Sequence, residues 1–288
     1  MMKSFKNNFF CFFVLIFLTN CSTESISVEE PDTFDPTEYY EEINISYGEF
    51  DDQKFDLYLP ANRTANTKTV ILVHGGGWIS GDKSDMNTIK DLIRLDFPNL
   101  AIVNMNYRLA DMENKPLPMQ TDDITSVINM LKSNKSSYTI SEDFGFIGTS
   151  AGGHLSLLWS YALDTNKNIN MVCSIVGPTN LTDPAYLNNT DPELQILLSL
   201  FGENPSTEYL ETSSPLHQVT SEAPASILFY GGEDPLIPTS QGIDLRDRLL
   251  ELNVTHEFTL YPEAGHGWDG IELLDTWTKL KLFMQAYL

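Results

Sequence analysis

The chain reads as an α/β domain built on a mostly parallel sheet, and three observations predict it. Strand-like and helix-like runs alternate from about residue 53 to the last residue, the pattern of a sheet covered by helices on both faces. A serine stands in Gly148-Thr149-Ser150-Ala151-Gly152, between the apolar run 144–147 and a helix-like run. Upstream, a glycine-rich turn, His74-Gly75-Gly76-Gly77-Trp78, follows the apolar run 69–73.

Taken in order, residues 53–59 alternate apolar and polar, and 69–73 form a short apolar run. Residues 88–95 have helical spacing and 101–107 read as a strand. A helix is predicted over 119–131, with Ile124, Val127, Ile128 and Leu131 on one face. Strands follow at 144–147, 171–176, 226–230 and 256–261, with helices after Ser150, near 241–252 and near 271–287. The strands ahead of the first helix are placed as an antiparallel edge. Residues 180–223 break the alternation: they are polar, proline-containing and long, with one short helix expected at 194–201. An insertion of that length between core elements reads as a lid or cap. Neither an internal repeat nor a second linker is visible, so one domain is expected over 41–288.

The composition bounds the function. With 42% hydrophobic and 20% charged residues the chain can form a sizeable core. A formal charge of −23 argues against binding nucleic acid or anionic membrane surfaces by electrostatics. It also makes strongly anionic polymers poor substrates unless a local basic patch exists.

Residues 1–20 are set apart from the fold. Lys3 and Lys6 precede a ten-residue apolar run from Phe9 to Leu18, too short to span a bilayer and suited to a signal peptide. The run ends at Leu18-Thr19-Asn20-Cys21, which resembles a bacterial lipoprotein lipobox, with Asn20 where a small residue is usual. That resemblance implies a lipid on Cys21, an envelope location and a membrane link through the anchor alone; if it misleads, the protein is secreted. Residues 21–40, rich in Glu, Asp, Ser and Pro, read as a flexible tether. With Cys11 in the signal and Cys21 lipidated, Cys173 stands alone in an apolar strand, so no disulfide and no cysteine-based metal site is expected.

The chemistry-bearing residues form a set. A serine on a strand-to-helix turn is lifted clear of the backbone, and Gly148 and Gly152 answer the crowding there. The pentapeptide arises often enough by chance that a base, an acid and an oxyanion site must accompany it. The glycine loop supplies the last: the N–H groups of Gly76 and Gly77, with that of Ala151, are placed as oxyanion donors. Among five histidines, His266 lies in a flexible loop, Ala264-Gly265-His266-Gly267-Trp268, directly after a strand, and is read as the base. His74 is expected to brace the oxyanion loop, His154 to be structural, His217 to sit in the insertion and His256 to face solvent. The acid follows the strand 226–230, where Glu233 and Asp234 are both available. Trp78, Tyr107 and Trp268 are placed at the substrate pocket.

Five ordered segments carry a resemblance: VHGGGW-x-x-GDK (73–83), NYRL (106–109), GTSAGGHL (148–155), GGEDPLIP (231–238) and AGHGW (264–268). Together they resemble α/β-hydrolase esterases, closest to the bacterial feruloyl-esterase-like (BD-FAE) group and more loosely the hormone-sensitive-lipase-like carboxylesterases. The resemblance covers about 43–288. It implies the α/β-hydrolase fold and a serine esterase with Ser150 as nucleophile, Asp234 rather than Glu233 as acid and His266 as base. Thr149 departs from the acidic residue many relatives carry there. Neither a metal nor an organic cofactor is implied. The substrate stays open among short-acyl and carbohydrate-linked esters. Arylformamidase- or peptidase-type amide hydrolysis would use the same groups. The alternative outside catalysis is a surface glycan-binding pseudoenzyme, against which the complete set of groups speaks.

Overall fold

A computed structural model describes residues 34–288. Signal segment 1–20, Cys21 and the tether up to residue 33 lie outside the described residues. Among those described, no helix is long and apolar enough to cross a membrane.

The elements run β1 (Tyr40–Ser46), β2 (Lys54–Leu59), β3 (Thr69–Val73), a 3-10 turn (Lys83–Met86), α1 (Asn87–Asp96), β4 (Ala101–Met105), α2 (Met119–Ser133) and a short α3 (Lys135–Tyr138). They continue with β5 (Phe144–Thr149), α4 (Ala151–Leu158) and β6 (Ile169–Ile175). The insertion holds α5 (Pro184–Leu187), α6 (Pro192–Ser199), α7 (Thr207–Thr212) and α8 (Pro215–Gln218). The chain finishes with β7 (Ala225–Gly231), α9 (Thr239–Glu251), β8 (His256–Tyr261) and α10 (Gly270–Tyr287).

Eight strands among the described residues form one sheet in the order β1-β2-β4-β3-β5-β6-β7-β8. The β1–β2 and β2–β4 pairings are antiparallel and every later pairing is parallel. The period-2 alternation of strand side chains sorts them onto two cores. Leu57, Ile71, Val73, Val103 and Phe146 pack with residues of α2, α4 and α9 on one face. Tyr58, Val70, Leu72, Ile102 and Ile147 pack with Ile93 of α1 and Trp277, Leu280, Phe283 and Met284 of α10 on the other. This is the expected two-sided α/β architecture, with the antiparallel edge where it was placed.

Three differences stand out. Strand β1 was not expected, because its solvent-facing sequence, YEEINIS, lacks a buried alternation; it is bulged between Glu42 and Ile45, with Asn44 at φ 64. Charge and a bulge suit an edge strand. The domain also starts earlier than residue 41. Phe34 packs on Tyr40 and Tyr138, at ring separations of 4.3 and 5.7 Å. The Arg63 guanidinium donates to the carbonyls of Phe34, Glu38 and Tyr138. The insertion is richer than the single helix expected: capping by Asp183 and Ser206 side chains starts α5 and α7 within a polar stretch.

Candidate active site

Strand β5 ends in a turn that sets Ser150 at φ 49, ψ −121, a conformation few side-chain-bearing residues adopt. Its N–H is tied to the Ile175 carbonyl at 2.8 Å. The flanking glycines have a steric cause. A Cβ on Gly148 would lie 2.3 Å from the Gly152 carbonyl oxygen, and one on Gly152 would lie 2.2 Å from that of Val73. The strand, turn and following helix are too close for anything but hydrogen at those points.

The other two groups come from the ends of β7 and β8. Asp234 is held by its own loop: Oδ1 accepts the N–H groups of Leu236 and Ile237 at 2.8 and 2.9 Å. Its Oδ2 accepts from His266 Nδ1 at 2.8 Å, and its side chain is 1% exposed. A carboxylate only accepts, so Nδ1 carries the proton and Nε2 is free to accept the Ser150 hydroxyl, 2.9 Å away. Both loops approach over Gly231, where a Cβ would meet the Gly265 and Ala264 carbonyl oxygens at 2.2 and 2.4 Å. Backbone bonds from Gly232 to Tyr261 and from Glu233 to Ala264 join them. Glu233 itself points to solvent.

The glycine loop after β3 curls beside Ser150. Gly76, Gly77 and Trp78 have φ values of 108, 59 and 68. The loop is clamped from outside. The Gly76 carbonyl accepts from Ile79 and Ser80, and the Trp78 carbonyl accepts from Ala110 and Gln120 Nε2. None of the backbone hydrogen bonds among the described residues uses the N–H of Gly76, Gly77 or Ala151. These three expected donors are thus uncommitted beside the serine.

Tyr107 is not at the pocket, contrary to expectation. It is fully buried, stacks on His74 at 4.3 Å, and donates its hydroxyl to the His74 carbonyl at 2.9 Å. Its role is to brace the glycine loop from beneath. Trp78 and Trp268 do border the cleft, although Trp78 is 4% exposed. The indole N–H of Trp268 is spent on Thr276 Oγ1 at 2.8 Å. Asn106 of the NYRL segment ties down the loop after the glycine turn, accepting from Lys83 N–H and donating to Asp82. The Arg108 fork grips Asp123. His217 and His256 lie apart, engaged by Thr182 and by the Val254 carbonyl.

His154 is a bridge. Trp78 Nε1–H donates to its Nδ1 at 3.2 Å, and its Nε2–H donates to the Ser213 carbonyl at 2.8 Å. One ring therefore joins the glycine loop, the helix after Ser150 and the insertion. Burial pushes its pKa from 6.5 down to about 4. As pH falls below 6.5 the unfolded chain takes up this proton while the folded chain does not, so protonation favours unfolding. Stability from this site is complete above pH 6.5 and is lost as pH falls toward 4, by about 3 kcal/mol. Urea midpoints at pH 7 and pH 4.5 should show a smaller acid-dependent drop in His154→Phe than in the parent protein.

A cleft of about 780 Å³ opens over Ser150 and His266. One wall is apolar: Leu181, Tyr186, Leu194 and Leu197 come from the insertion region and Ile237 from the acid loop. The other carries Asp85, Thr88, Trp268 and Thr276. Sequence reading found the insertion and Trp268 but not the other wall residues, whose place in the cleft no spacing marks. Among the described residues, no group of three or more His, Cys, Asp or Glu side chains is arranged to hold a metal ion.

The profile of the BD-FAE family matches residues 55–249. The chain belongs to the BD-FAE family. Esterase LipC of Mycobacterium tuberculosis is 24% identical over 249 residues, covering 80% of this chain and 60% of LipC. A truncated carbohydrate esterase from gut microbiota has a TM-score of 0.70 at 20% identity, over 87% of this chain and 99% of that one. An acetyl ester-xyloside bifunctional hydrolase from Caldicellulosiruptor lactoaceticus has a TM-score of 0.67 at 18% identity, over 81% and 88%. The two structures share the α/β-hydrolase fold with this BD-FAE chain. The chain spans less than two thirds of the length of LipC, as it does for other curated relatives it matches, at 51% and 36%.

Proposed function

We propose that the protein is a serine hydrolase of carboxylic esters that works through an acyl-enzyme. The observation that carries this reading is the continuous relay Asp234–His266–Ser150, with bonds of 2.8 and 2.9 Å, at the floor of an open cleft. His266 Nε2 removes the Ser150 proton as Oγ attacks the ester carbonyl carbon. Asp234 fixes the imidazole tautomer and stabilises the imidazolium. The N–H groups of Gly76, Gly77 and Ala151 receive the oxyanion, each being worth roughly 3 kcal/mol in the transition state. The imidazolium then protonates the departing alcohol. Water, deprotonated by the same imidazole, releases the acid and restores Ser150.

At about 780 Å³ the cleft has room for a ligand of the size of a sugar carrying an acyl group. Short-acyl or carbohydrate-linked esters are the substrate class, in keeping with the carbohydrate and acetyl esterases that share the fold. Labelling with a fluorophosphonate tests the reading. Phosphonylation with loss of fluoride is expected on the peptide that contains Ser150, accompanied by loss of p-nitrophenyl acetate turnover. An unlabelled Ser150 in folded protein would refute the assignment.

A further inference from the structure

The cleft has an electrostatic sign that the fold does not require. Among the described residues, its wall contains neither lysine nor arginine, and Asp85 is its only carboxylate. The lysines on the elements beside that wall are occupied elsewhere: Lys83 pairs with Asp56 at 3.2 Å, Lys90 with Asp91 at 3.3 Å and Lys279 with Asp275 at 2.5 Å. Asp85 is exposed and held in place, because its Oδ2 accepts the Asp82 N–H at 3.1 Å in the cap of the 3-10 turn. No hydrogen bond among the described residues engages its Oδ1. The local basic patch that would offset the chain's charge of −23 is absent from the cleft wall.

We infer that Asp85 is a specificity-determining residue that makes the cleft select neutral and cationic esters and reject anionic ones. The inference rests on the esterase reading and narrows it. Esters on neutral glycans fit, and esters on uronate-rich polymers do not. A carboxylate on a bound ester shares the cleft with Asp85, and for like charges several ångströms apart partial exposure to water leaves about a tenfold penalty. The field of the remaining surface charge is longer-ranged and falls away with salt.

The test uses three acetate esters of 3-substituted phenols, bearing a carboxamide, a carboxylate or a trimethylammonium group. Their kcat/KM values are divided by their hydroxide-catalysed rates. In the parent protein the carboxylate ester should be about tenfold poorer than the carboxamide ester, and the trimethylammonium ester no poorer. In Asp85→Asn, which keeps an oxygen for the Asp82 N–H, the carboxylate-to-carboxamide ratio should close to within about twofold. The ratio does not depend on the fraction of protein folded. Should that variant not fold, the parent protein in 20 mM and 1 M salt gives a second measure, with the gap narrowing at high salt. An equal preference for the two esters in the parent protein, or a gap that a folded Asp85→Asn leaves unchanged, overturns the inference, as does a gap untouched by salt where that variant does not fold. Calorimetric binding of the same esters to Ser150→Ala separates the two ideas. Absence of turnover by the parent protein, with a charge-ordered affinity in Ser150→Ala, would defeat the esterase reading and keep the charge selection.

Discussion

Replacing Ser150 by alanine is expected to lower kcat for p-nitrophenyl acetate by about 10⁶-fold, with the fold intact. The size follows from what is removed. Without Oγ no acyl-enzyme forms, and His266 is left to activate water that no group positions. Members of such a relay act as a unit, so His266→Ala in the Ser150→Ala background should add almost nothing. The glycine loop and cleft remain, and they should leave roughly 10³-fold catalysis over the uncatalysed reaction. Alanine is a mild change for the fold because the strain at φ 49 is already borne by the native turn. Activity within tenfold of the parent in a preparation free of other esterases would sink the mechanism.

Asp234→Asn is expected to lower kcat by about 10⁴-fold with little effect on KM. The substitution preserves shape but exchanges an acceptor for a donor. Asp234 Oδ1 already takes two backbone N–H groups, from Leu236 and Ile237, so the amide oxygen of asparagine belongs there. Its NH₂ then faces His266 Nδ1. The imidazole must accept at Nδ1, which moves its proton to Nε2, and a protonated Nε2 cannot take the Ser150 proton. Glu233→Gln supplies the contrast, since Glu233 faces solvent beside the same loop and its loss should leave kcat close to the parent value. Equal effects of the two substitutions would refute the assignment of Asp234.

The relay was legible in the sequence because each of its pieces carries a steric signature. Gly148, Gly152 and Gly231 are required by carbonyl oxygens within 2.4 Å of a hypothetical Cβ, and glycines at such points announce themselves in a linear string. Strands β3 and β5 were legible for a related reason: β3 is buried throughout and β5 up to Gly148, so each reads as a short, mainly apolar run. What escaped was decided by distant contacts. Tyr107 looked like a pocket aromatic until its hydroxyl was seen to serve a carbonyl 33 residues away. Strand β1 and Phe34 escaped because pairing partners and Arg63, not local hydrophobic pattern, hold them. Asp85 had no signal, for an exposed acid on a capped turn is an ordinary surface residue until the cleft around it is known.

The His154 bridge sets how readily this protein changes. The insertion answers His154 with the carbonyl of Ser213, a group that belongs to the backbone. Any residue except one that distorts the chain offers the same acceptor. The tie between the insertion and the catalytic scaffold therefore imposes shape on the insertion without imposing an alphabet. Loop variation is already the cheapest kind in a folded domain, and this tie asks for a backbone carbonyl rather than a named side chain, although Ser213 is buried and its position limits size. The α5–α8 segment can drift through new sequences, and with them new cleft walls, while the relay beneath stays in register.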